Sequence, residues 1–354
     1  MCLSNNRYKT ASVSFSGTIL LGCEVQVEGK TEHLVGYFNR VQSSAQNPGA
    51  SDQLLRSAVA GIPSLTAPRR GTRRRSGGSD DFGWETPAKP GKPATIAVGN
   101  AMLFALPASP GTVTAANLIA VSDYPSFMQD YARAVSPPVF SDSMRRGGMR
   151  GSLGGAKSVE VVKNFDKGTY DVVIAGSAKA IATALDQIDP AKRPIVNSEL
   201  YAQLDKLYPK WTFVLFCFAE ESASKAGCAM VRYKPMKKFE HLLYLPGLDG
   251  HNGAVETGQV ALDHTLVVGS FAMSKSASAR EVHFRDVKFT QDLPFMPTRV
   301  VGKVIPAGNM APQGDFLFKL DELRAGTFRA RRALPPGWAK VFGKDESHPF
   351  YIQN

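Results

Sequence analysis

The alternation of apolar and polar positions along the chain predicts more strands than helices. Short apolar or alternating runs that end at turn residues are typical of β-strands. Such runs occupy residues 16–27, 33–38, 95–106, 159–162, 170–175, 211–218, 228–233, 242–245, 266–268, 283–289 and 300–305. The run WTFVLFCF at 211–218 is apolar on both faces, which predicts a central strand of a sheet.

Helical spacing of apolar residues is confined to fewer segments. It predicts helices over residues 125–134, 177–188 and 198–207. Pro190 and Pro209 follow the second and third of these, where a proline ends a helix. Helices are therefore expected to be few and short beside the strands.

The order of these elements predicts the fold class. Only residues 158–218 alternate strand with helix, whereas a doubly wound parallel fold needs that alternation throughout. The sequence therefore predicts an α+β fold, a single domain over residues 1–300 with a large, mainly antiparallel sheet or sheets and a few helices. Residues 301–354 are predicted to form a partly ordered, basic and aromatic C-terminal extension.

Two segments are predicted to lie outside the packed domain. Residues 43–94 are rich in Ser, Gly, Pro, Ala and Arg, a composition that buries too little apolar surface to offset the entropy of ordering. They are predicted to be a disordered insertion, which costs little stability because loop-closure entropy grows only with the logarithm of length. Residues 141–156, SDSMRRGGMRGSLGGA, are predicted to be a mobile loop rich in Gly and Arg.

Composition places the chain among ordinary globular proteins. Hydrophobic residues make up 43% and charged residues 21% of its 354 positions. There is no apolar run of transmembrane length, and the N-terminus lacks the apolar core of a signal peptide, so we expect a soluble, cytoplasmic protein without membrane association. The four cysteines are scattered, which favours free buried thiols over disulfides or zinc, and no cofactor is expected.

The net charge of +11 is concentrated in three arginine clusters that contain no acidic residue. The clusters comprise Arg69, Arg70, Arg73, Arg74 and Arg75; Arg145, Arg146 and Arg150; and Arg324, Arg329, Arg331 and Arg332. Removing these twelve charges leaves about −1 for the rest of the chain. The body is thus predicted to be near neutral, with the basic residues in appendages.

The first two clusters are candidates for contact with polyanions. Arginine-rich segments bind phosphate backbones or acidic surfaces without reading a sequence. No aromatic residue alternates with these arginines, as it would in a platform that stacks bases. The expected partner is therefore nucleic acid, bound weakly and without sequence specificity, or an acidic partner. Solvated charge without a partner is the other interpretation.

The N-terminal Met1-Cys2 is the sharpest chemical feature of the sequence. Cysteine is small enough for methionine aminopeptidase to remove Met1, after which Cys2 carries a thiol and a free α-amino group. An α-amine has an ordinary pKa near 8, so it can act as the base for attack by its own side chain. Cys2 is therefore a candidate nucleophile, and an ordinary second residue is the alternative.

The Met-Cys start resembles the cysteine-type N-terminal-nucleophile hydrolases, whose cysteine members begin in this way. The resemblance implies hydrolysis of an amide bond in a small substrate, with Cys2 as nucleophile. Asn39 and Asn100, each just beyond or within a predicted strand, are candidate oxyanion donors. The chain departs from the glutamine amidotransferases at Leu3, where those have glycine, and no downstream motif matches the bile-salt hydrolases.

A histidine-rich segment between two apolar runs supplies further candidates. Asp249 and His251 are two residues apart, and a carboxylate–imidazole pair can orient a general base. The same pair could begin a metal site with His241 or Asp263 as a third ligand. A hydrogen-bonded polar turn is the alternative, and His264 is typical of a strand-end histidine.

Two functions from different classes therefore stay open. One is a cysteine hydrolase that uses Cys2, Asn39, Asn100, Asp249 and His251. The other is a non-enzymatic binding or assembly protein that uses its arginine-rich appendages. The sequence indicates neither the substrate nor the oligomeric state.

Overall fold

Strands dominate the computed structural model. It describes residues 2–3, 13–43, 99–136, 159–195, 198–219, 222, 228–248, 255, 258–335 and 352–353. The strands of this part are β1 (Cys2–Leu3), β2 (Val13–Val27), β3 (Lys30–Ser43), β4 (Asn100–Leu106), β5 (Val159–Phe165), β6 (Tyr170–Ala175), β7 (Thr212–Phe218), β8 (Cys228–Tyr233), β9 (Leu242–Leu245), β10 (Gln259–Leu262), β11 (His264–Ser270), β12 (Arg280–Glu281), β13 (Arg299–Val304), β14 (Asn309–Pro312), β15 (Asp315–Lys319), β16 (Arg329–Ala333) and β17 (Ile352–Gln353).

The helices of the described part are short. They are α1 (Phe127–Val135), α2 (Ala178–Ala184), α3 (Ser198–Leu207), α4 (Val287–Gln291) and α5 (Leu320–Arg324). Single 3₁₀ turns cover Ala115–Asn117, Leu185–Gln187 and Lys237–Phe239. No helix among the residues described combines the length and the apolarity needed to cross a membrane. The cytoplasmic location stays a prediction.

Three sheets and a two-stranded ribbon arrange these strands. Sheet A has the order β1-β4-β7-β6-β5, sheet B the order β12-β13-β11-β2-β3-β8, and sheet C the order β17-β16-β15-β9, while β10 and β14 form the ribbon. Within the described ranges the pairings are antiparallel except for β11 with β2. The predicted α+β fold with mainly antiparallel sheets is therefore confirmed.

Sheets A and B pack face to face through large apolar side chains. The Tyr37 ring of β3 contacts the Phe104 ring of β4 edge to face, with centroids 6.3 Å apart. Sheet C lies against sheet B at Gly22, where an added Cβ would come within 2.6 Å of Leu245 Cδ2. The three sheets thus share one apolar core.

Helices cover the outer faces of these sheets. Ile181 of α2 and Leu204 of α3 are fully buried in the same core as sheet A. On the far side of sheet B, Met128 and Tyr131 of α1 pack in a second apolar cluster with Val267 of β11. The amphipathic spacing predicted for these helices therefore marks the faces that they bury.

Several predicted elements match the structure residue for residue. They are the strands at 170–175, 228–233 and 242–245 and the helix at 198–207. The predicted strand at 283–289 is wrong. The carboxylate of Asp286 accepts a hydrogen bond from the backbone N–H of Phe289 at 3.1 Å and so caps helix α4. Phe284 stacks on Phe127 of α1 instead of alternating in a sheet.

The arginine cluster at 324–332 belongs to the folded body, so its assignment to a solvated appendage is wrong. Arg331 is 4% exposed and donates to both carboxylate oxygens of Glu322, at 2.7 and 2.6 Å. Arg332 is also buried and donates to the carbonyl of Gly247 at 3.0 Å. Arg324 forms an ion pair with a buried carboxylate of sheet B. These three guanidinium groups therefore pair with carboxylates or a carbonyl of the fold itself.

The predicted appendages elsewhere fall largely outside the described residues. This is true of the insertion from residue 44 onward and of the loop at 141–156. Of the predicted C-terminal extension, the structure describes residues 301–335 and 352–353. These contribute to β13 and supply β14–β17.

We predict that Gly302→Ala destabilises the protein more than Gly22→Ala. A Cβ at Gly302 would lie 2.3 Å from the backbone carbonyl oxygen of Leu266, which cannot move without breaking the ladder between β13 and β11. At Gly22 the obstacle is the end of the Leu245 side chain, which can rotate. Overpacking costs about 1–3 kcal/mol, and we expect Gly302→Ala at or above the top of that range.

Urea unfolding of the two variants tests this difference in free energy of unfolding. Equal stability of the Gly302→Ala variant and the parent protein would show that β13 does not approach β11 as described.

Candidate functional site

Asn39 and Asn100 lie at the same end of the face-to-face sheets A and B. In sheet A, Asn100 is paired with Phe218, whose ring contacts that of Tyr170. The Tyr170 hydroxyl donates to the carbonyl of Cys228 at 2.8 Å, and Cys228 is paired with the residue that precedes Asn39 in β3. We call this end, marked by Asn39 and Asn100, the amide end.

The backbone of Cys2 also belongs to the amide end. Cys2 pairs with Met102 and Leu3 with Ala101, so β1 is an edge strand of sheet A beside the first residues of β4. Cys2 therefore lies two positions along β4 from Asn100. The structure brings the main chain of the candidate nucleophile close to one of its two candidate oxyanion donors.

The side chain of Asn39 is committed to the fold. Its Oδ1 accepts from the Thr18 hydroxyl at 2.6 Å, and its Nδ2 donates to the Tyr37 hydroxyl at 2.8 Å. Thr18 follows Gly17, which has φ +63° at a shift of register between β2 and β3. The amide thus stabilises a β-bulge, and at 2% exposure it offers no surface to a substrate.

Asp263 and His264 complete the hydrogen bonding at this bulge. The Asp263 carboxylate accepts from the backbone N–H of Gly17 at 3.1 Å, and the Asp263 N–H donates to His264 Nδ1 at 3.2 Å. Burial is the main cause that lowers the pKa of His264, and a neutral ring is the form that accepts at Nδ1. His264 begins β11, as expected of a hydrogen-bonded strand-end histidine.

The remaining predicted site residues are not brought together. His241 is exposed before β9, whereas Asp249 and His251 lie outside the described residues, as do the eight arginines at 69–75 and 145–150. In the described ranges there is no group of three or more His, Cys, Asp or Glu that could hold a metal ion. The proposed roles of Asp249 and His251 stay predictions.

Three cysteines whose side chains the structure describes are free, buried thiols. They are Cys23, Cys217 and Cys228. Burial raises the pKa of each thiol far above its ordinary value, so all three are neutral at physiological pH. Neutral, buried thiols are inert as nucleophiles.

A row of four polar side chains crosses the opposite end of sheet B. Ser270 pairs with Glu24, Glu24 with His33, and His33 with Tyr233, so the four residues stand side by side on four strands. Ser270 is 2% exposed and the other three are fully buried. We call these residues the polar row. Residues opposite one another in neighbouring strands share a face, so all four point toward the same core.

The Glu24 carboxylate of the polar row is hydrogen-bonded to Ser270 and forms an ion pair with Arg324, which lies outside the row. The Ser270 hydroxyl donates to Glu24 Oε2 at 2.5 Å, and Arg324 donates to both oxygens of the same carboxylate, with Nε at 3.1 Å from Oε2. The Arg324 side chain is 47% exposed, so it covers the buried Glu24 from the solvent side. This contact attaches helix α5, and with it sheet C, to sheet B.

Two buried groups in the core have pKa values shifted in opposite directions. Burial lowers the pKa of His33 to about 4, with Glu24 opposing the shift and Arg324 adding to it. Burial raises the pKa of Asp315 to about 6, although its carboxylate accepts from the Tyr208 hydroxyl at 2.8 Å and the Gly247 N–H at 3.1 Å. Both groups resist ionisation because they are cut off from water.

Sequence reasoning missed the polar row because its members are far apart in the chain. Register alone brings residues 24, 33, 233 and 270 together. Glu24 is the one signal that could have drawn attention, since it interrupts the apolar run of β2. A charged residue inside a strand that is otherwise buried indicates a partner elsewhere in the fold.

Comparisons with known proteins do not assign this chain to a family. No protein-family model and no curated protein sequence matches the chain. Among solved structures, baculovirus P35 is similar with a TM-score of 0.33 and 12% identity over 88% of this chain and 90% of that one. A mutated baculovirus P35 after caspase cleavage gives 0.34 and 10% over 86% and 98%, and the caspase-8/P35 complex gives 0.31 and 10% over 87% and 89%. Scores at this level do not establish a common fold.

We predict that His33 and Asp315 give opposing contributions to the pH dependence of stability. As pH falls from 6.5 to about 4, the unfolded chain takes up a proton at His33 before the folded chain does, so stability is lost. As pH falls from about 6 to 3.8, the folded chain takes up a proton at Asp315 first, so stability is gained. Each contribution is about 3 kcal/mol at one unit of pKa per 1.36 kcal/mol, so the two nearly cancel.

Single substitutions separate the two contributions. In Asp315→Asn, the free energy of unfolding should fall between pH 6.5 and pH 4, whereas in His33→Phe the slope should shift toward greater stability at the lower pH. Urea unfolding across this range measures both slopes. Slopes that are the same in the two variants would contradict the assigned shifts.

Proposed function

We propose that this protein is a non-enzymatic binding protein whose arginine-rich segments contact an acidic surface of a protein partner. The observation that carries the proposal is that the three arginine clusters differ in their acidic partners. Arg324 and Arg331 are paired with buried or half-buried carboxylates inside the fold. The clusters at 69–75 and 145–150 have no acid in their own stretches and lie between elements of the body.

The body has the features of a scaffold for these segments. Residues 44–99 join β3 to β4, and 136–158 join α1 to β5, so each cluster is attached at both ends to packed elements. Reactive or polar groups in the described body have structural roles. The Asn39 amide is hydrogen-bonded within the core, and the thiols are buried.

The arginines favour a protein partner over nucleic acid. A guanidinium group forms two parallel hydrogen bonds with a carboxylate or with a phosphate, so this geometry alone does not separate the two partners. Neither cluster has an aromatic residue among its arginines on which bases could stack. Five and three charges also make short tracks for a phosphate backbone. Acidic side chains on a protein surface fit this pattern better.

We predict that replacing the eight arginines at 69–75 and 145–150 with serine abolishes binding to an acidic polypeptide without unfolding the body. Polyglutamate is the probe, and binding is measured by titration calorimetry at low and physiological salt. We expect a loss of roughly tenfold or more, because several charge contacts disappear together. The thermal midpoint should not change, since these residues lie outside the described sheets.

Replacement of the same eight arginines with lysine is the matched control. It keeps the charge and removes the forked donor geometry, so we expect binding of intermediate strength. Unchanged, salt-sensitive binding by the serine variant would show that the body itself is the binder. Much tighter binding of a DNA duplex than of polyglutamate at equal charge would instead favour nucleic acid.

A cysteine hydrolase acting on amide bonds is a second candidate, and one observation favours it. Cys2–Leu3 is paired with β4 beside Asn100, so the N-terminal main chain is held in a sheet. An N-terminal nucleophile needs such a fixed position relative to its oxyanion donors. The burial and bonding of Asn39 do not support a role for that residue as a donor.

Intact mass spectrometry tests the hydrolase directly. The hypothesis predicts loss of Met1, since a retained Met1 blocks the amine that would activate the Cys2 thiol. It also predicts that Cys2→Ala and Asn100→Ala each lower the rate of hydrolysis of small amides by at least roughly a hundredfold. Retention of Met1, or hydrolysis by the Cys2→Ala variant at the parent rate, would end the hypothesis.

A further inference from the structure

The polar row contains buried polar atoms that have no hydrogen-bond partner among the described residues. They are both ring nitrogens of His33 and the hydroxyl of Tyr233. The two rings lie edge to face with centroids 5.8 Å apart, on strand positions directly opposite one another. Both side chains are completely buried. The unpaired atoms are therefore clustered at one place in the core.

Such a cluster is costly unless something occupies it. A buried donor or acceptor without a partner forfeits the hydrogen bonds that it made with water in the unfolded chain. In native proteins nearly all such groups have a partner, often an internal water molecule. The unpaired atoms thus indicate a bound ligand that hydrogen bonds to the Tyr233 hydroxyl and to one of the two His33 ring nitrogens, which point in divergent directions.

The charges around the cluster select a neutral ligand. Glu24 is the nearest acid of the row, and Arg324 and Ser270 already satisfy its carboxylate. A cation would then stand beside Arg324, and an anion beside Glu24, each without compensation in a buried place. A metal ion would in addition need more ligands than one imidazole and one hydroxyl.

The donors and acceptors narrow the ligand further. Burial keeps the His33 ring neutral, so it offers one N–H donor and one acceptor nitrogen, and the Tyr233 hydroxyl can do either. A ligand that pairs with one ring nitrogen and with the hydroxyl is best able to satisfy both when it can donate and accept, and it must be small because both side chains are buried. Water meets all these requirements and usually makes about three hydrogen bonds when buried.

We propose that an internal water molecule is bound between His33 and Tyr233, behind the Glu24–Arg324 ion pair. This water joins the Tyr233 hydroxyl and one ring nitrogen of His33 into a hydrogen-bonded unit. The site depends on neither proposed function, because it lies in the core at the end of sheet B opposite the amide end.

Magnetic relaxation dispersion of ¹⁷O in the full-length protein tests the site, since it counts water molecules that stay bound for longer than nanoseconds. Tyr233→Phe removes one hydrogen-bonding partner and should reduce the count by about one. Tyr131→Phe is the matched control. Tyr131 is equally buried, but its hydroxyl donates directly to the carbonyl of Pro297 at 2.9 Å, so the count should not change.

A crystal structure of the parent protein gives a second, independent measurement. We expect a single peak of density within hydrogen-bonding distance of His33 and Tyr233. An unchanged count in Tyr233→Phe, a direct His33–Tyr233 hydrogen bond without intervening density, or a peak with the coordination distances of a metal ion would each overturn the proposal.

Discussion

Every polar side chain placed between the sheets must find a partner there, and this requirement organises the whole core. Along β2, Thr18 and Glu24 face the same core six residues apart, about 20 Å along a strand. Thr18 binds Asn39 at the amide end, and Glu24 binds Arg324 in the polar row. Apolar rows fill the space between them. Removing one partner of a fully buried ion pair costs about 3–5 kcal/mol because a buried charge is left without compensation. Arg324 is 47% exposed, so its removal should cost less, but it would leave the buried Glu24 carboxylate without its counter-ion.

The same requirement limits what the body can do chemically. An amide that holds a β-bulge, a carboxylate covered by an arginine and thiols kept neutral by burial are structural groups. Two places apart from these groups are candidates for binding or chemistry, the N-terminal strand beside Asn100 and the arginine clusters attached between packed elements. The proposed functions correspond to these two places.

The sequence predicted the fold class and many elements because strand alternation and helical spacing are local signals. The helix at 198–207 and the strand at 170–175 are examples. Contacts that depend on strand register could not be predicted from the sequence. The alternation at 283–289 resembles a strand, yet the Asp286 cap and the stacking of Phe284 on Phe127 decide the structure there. Arg331 looks like solvated charge in sequence, and only the fold shows that Glu322 faces it. The candidate site was predicted in part for the same reason, since register and sheet packing, which are not local signals, place Asn39 and Asn100 at the same end of sheets A and B.

Amide hydrogen exchange of the full-length protein, measured with and without polyglutamate, tests most directly whether binding uses the arginine clusters or the sheets. The account predicts slower exchange in peptides that contain residues 69–75 and 145–150, with exchange in β1 and β4 unchanged. Slower exchange in β1 and β4, with the arginine-containing peptides unaffected, would contradict it.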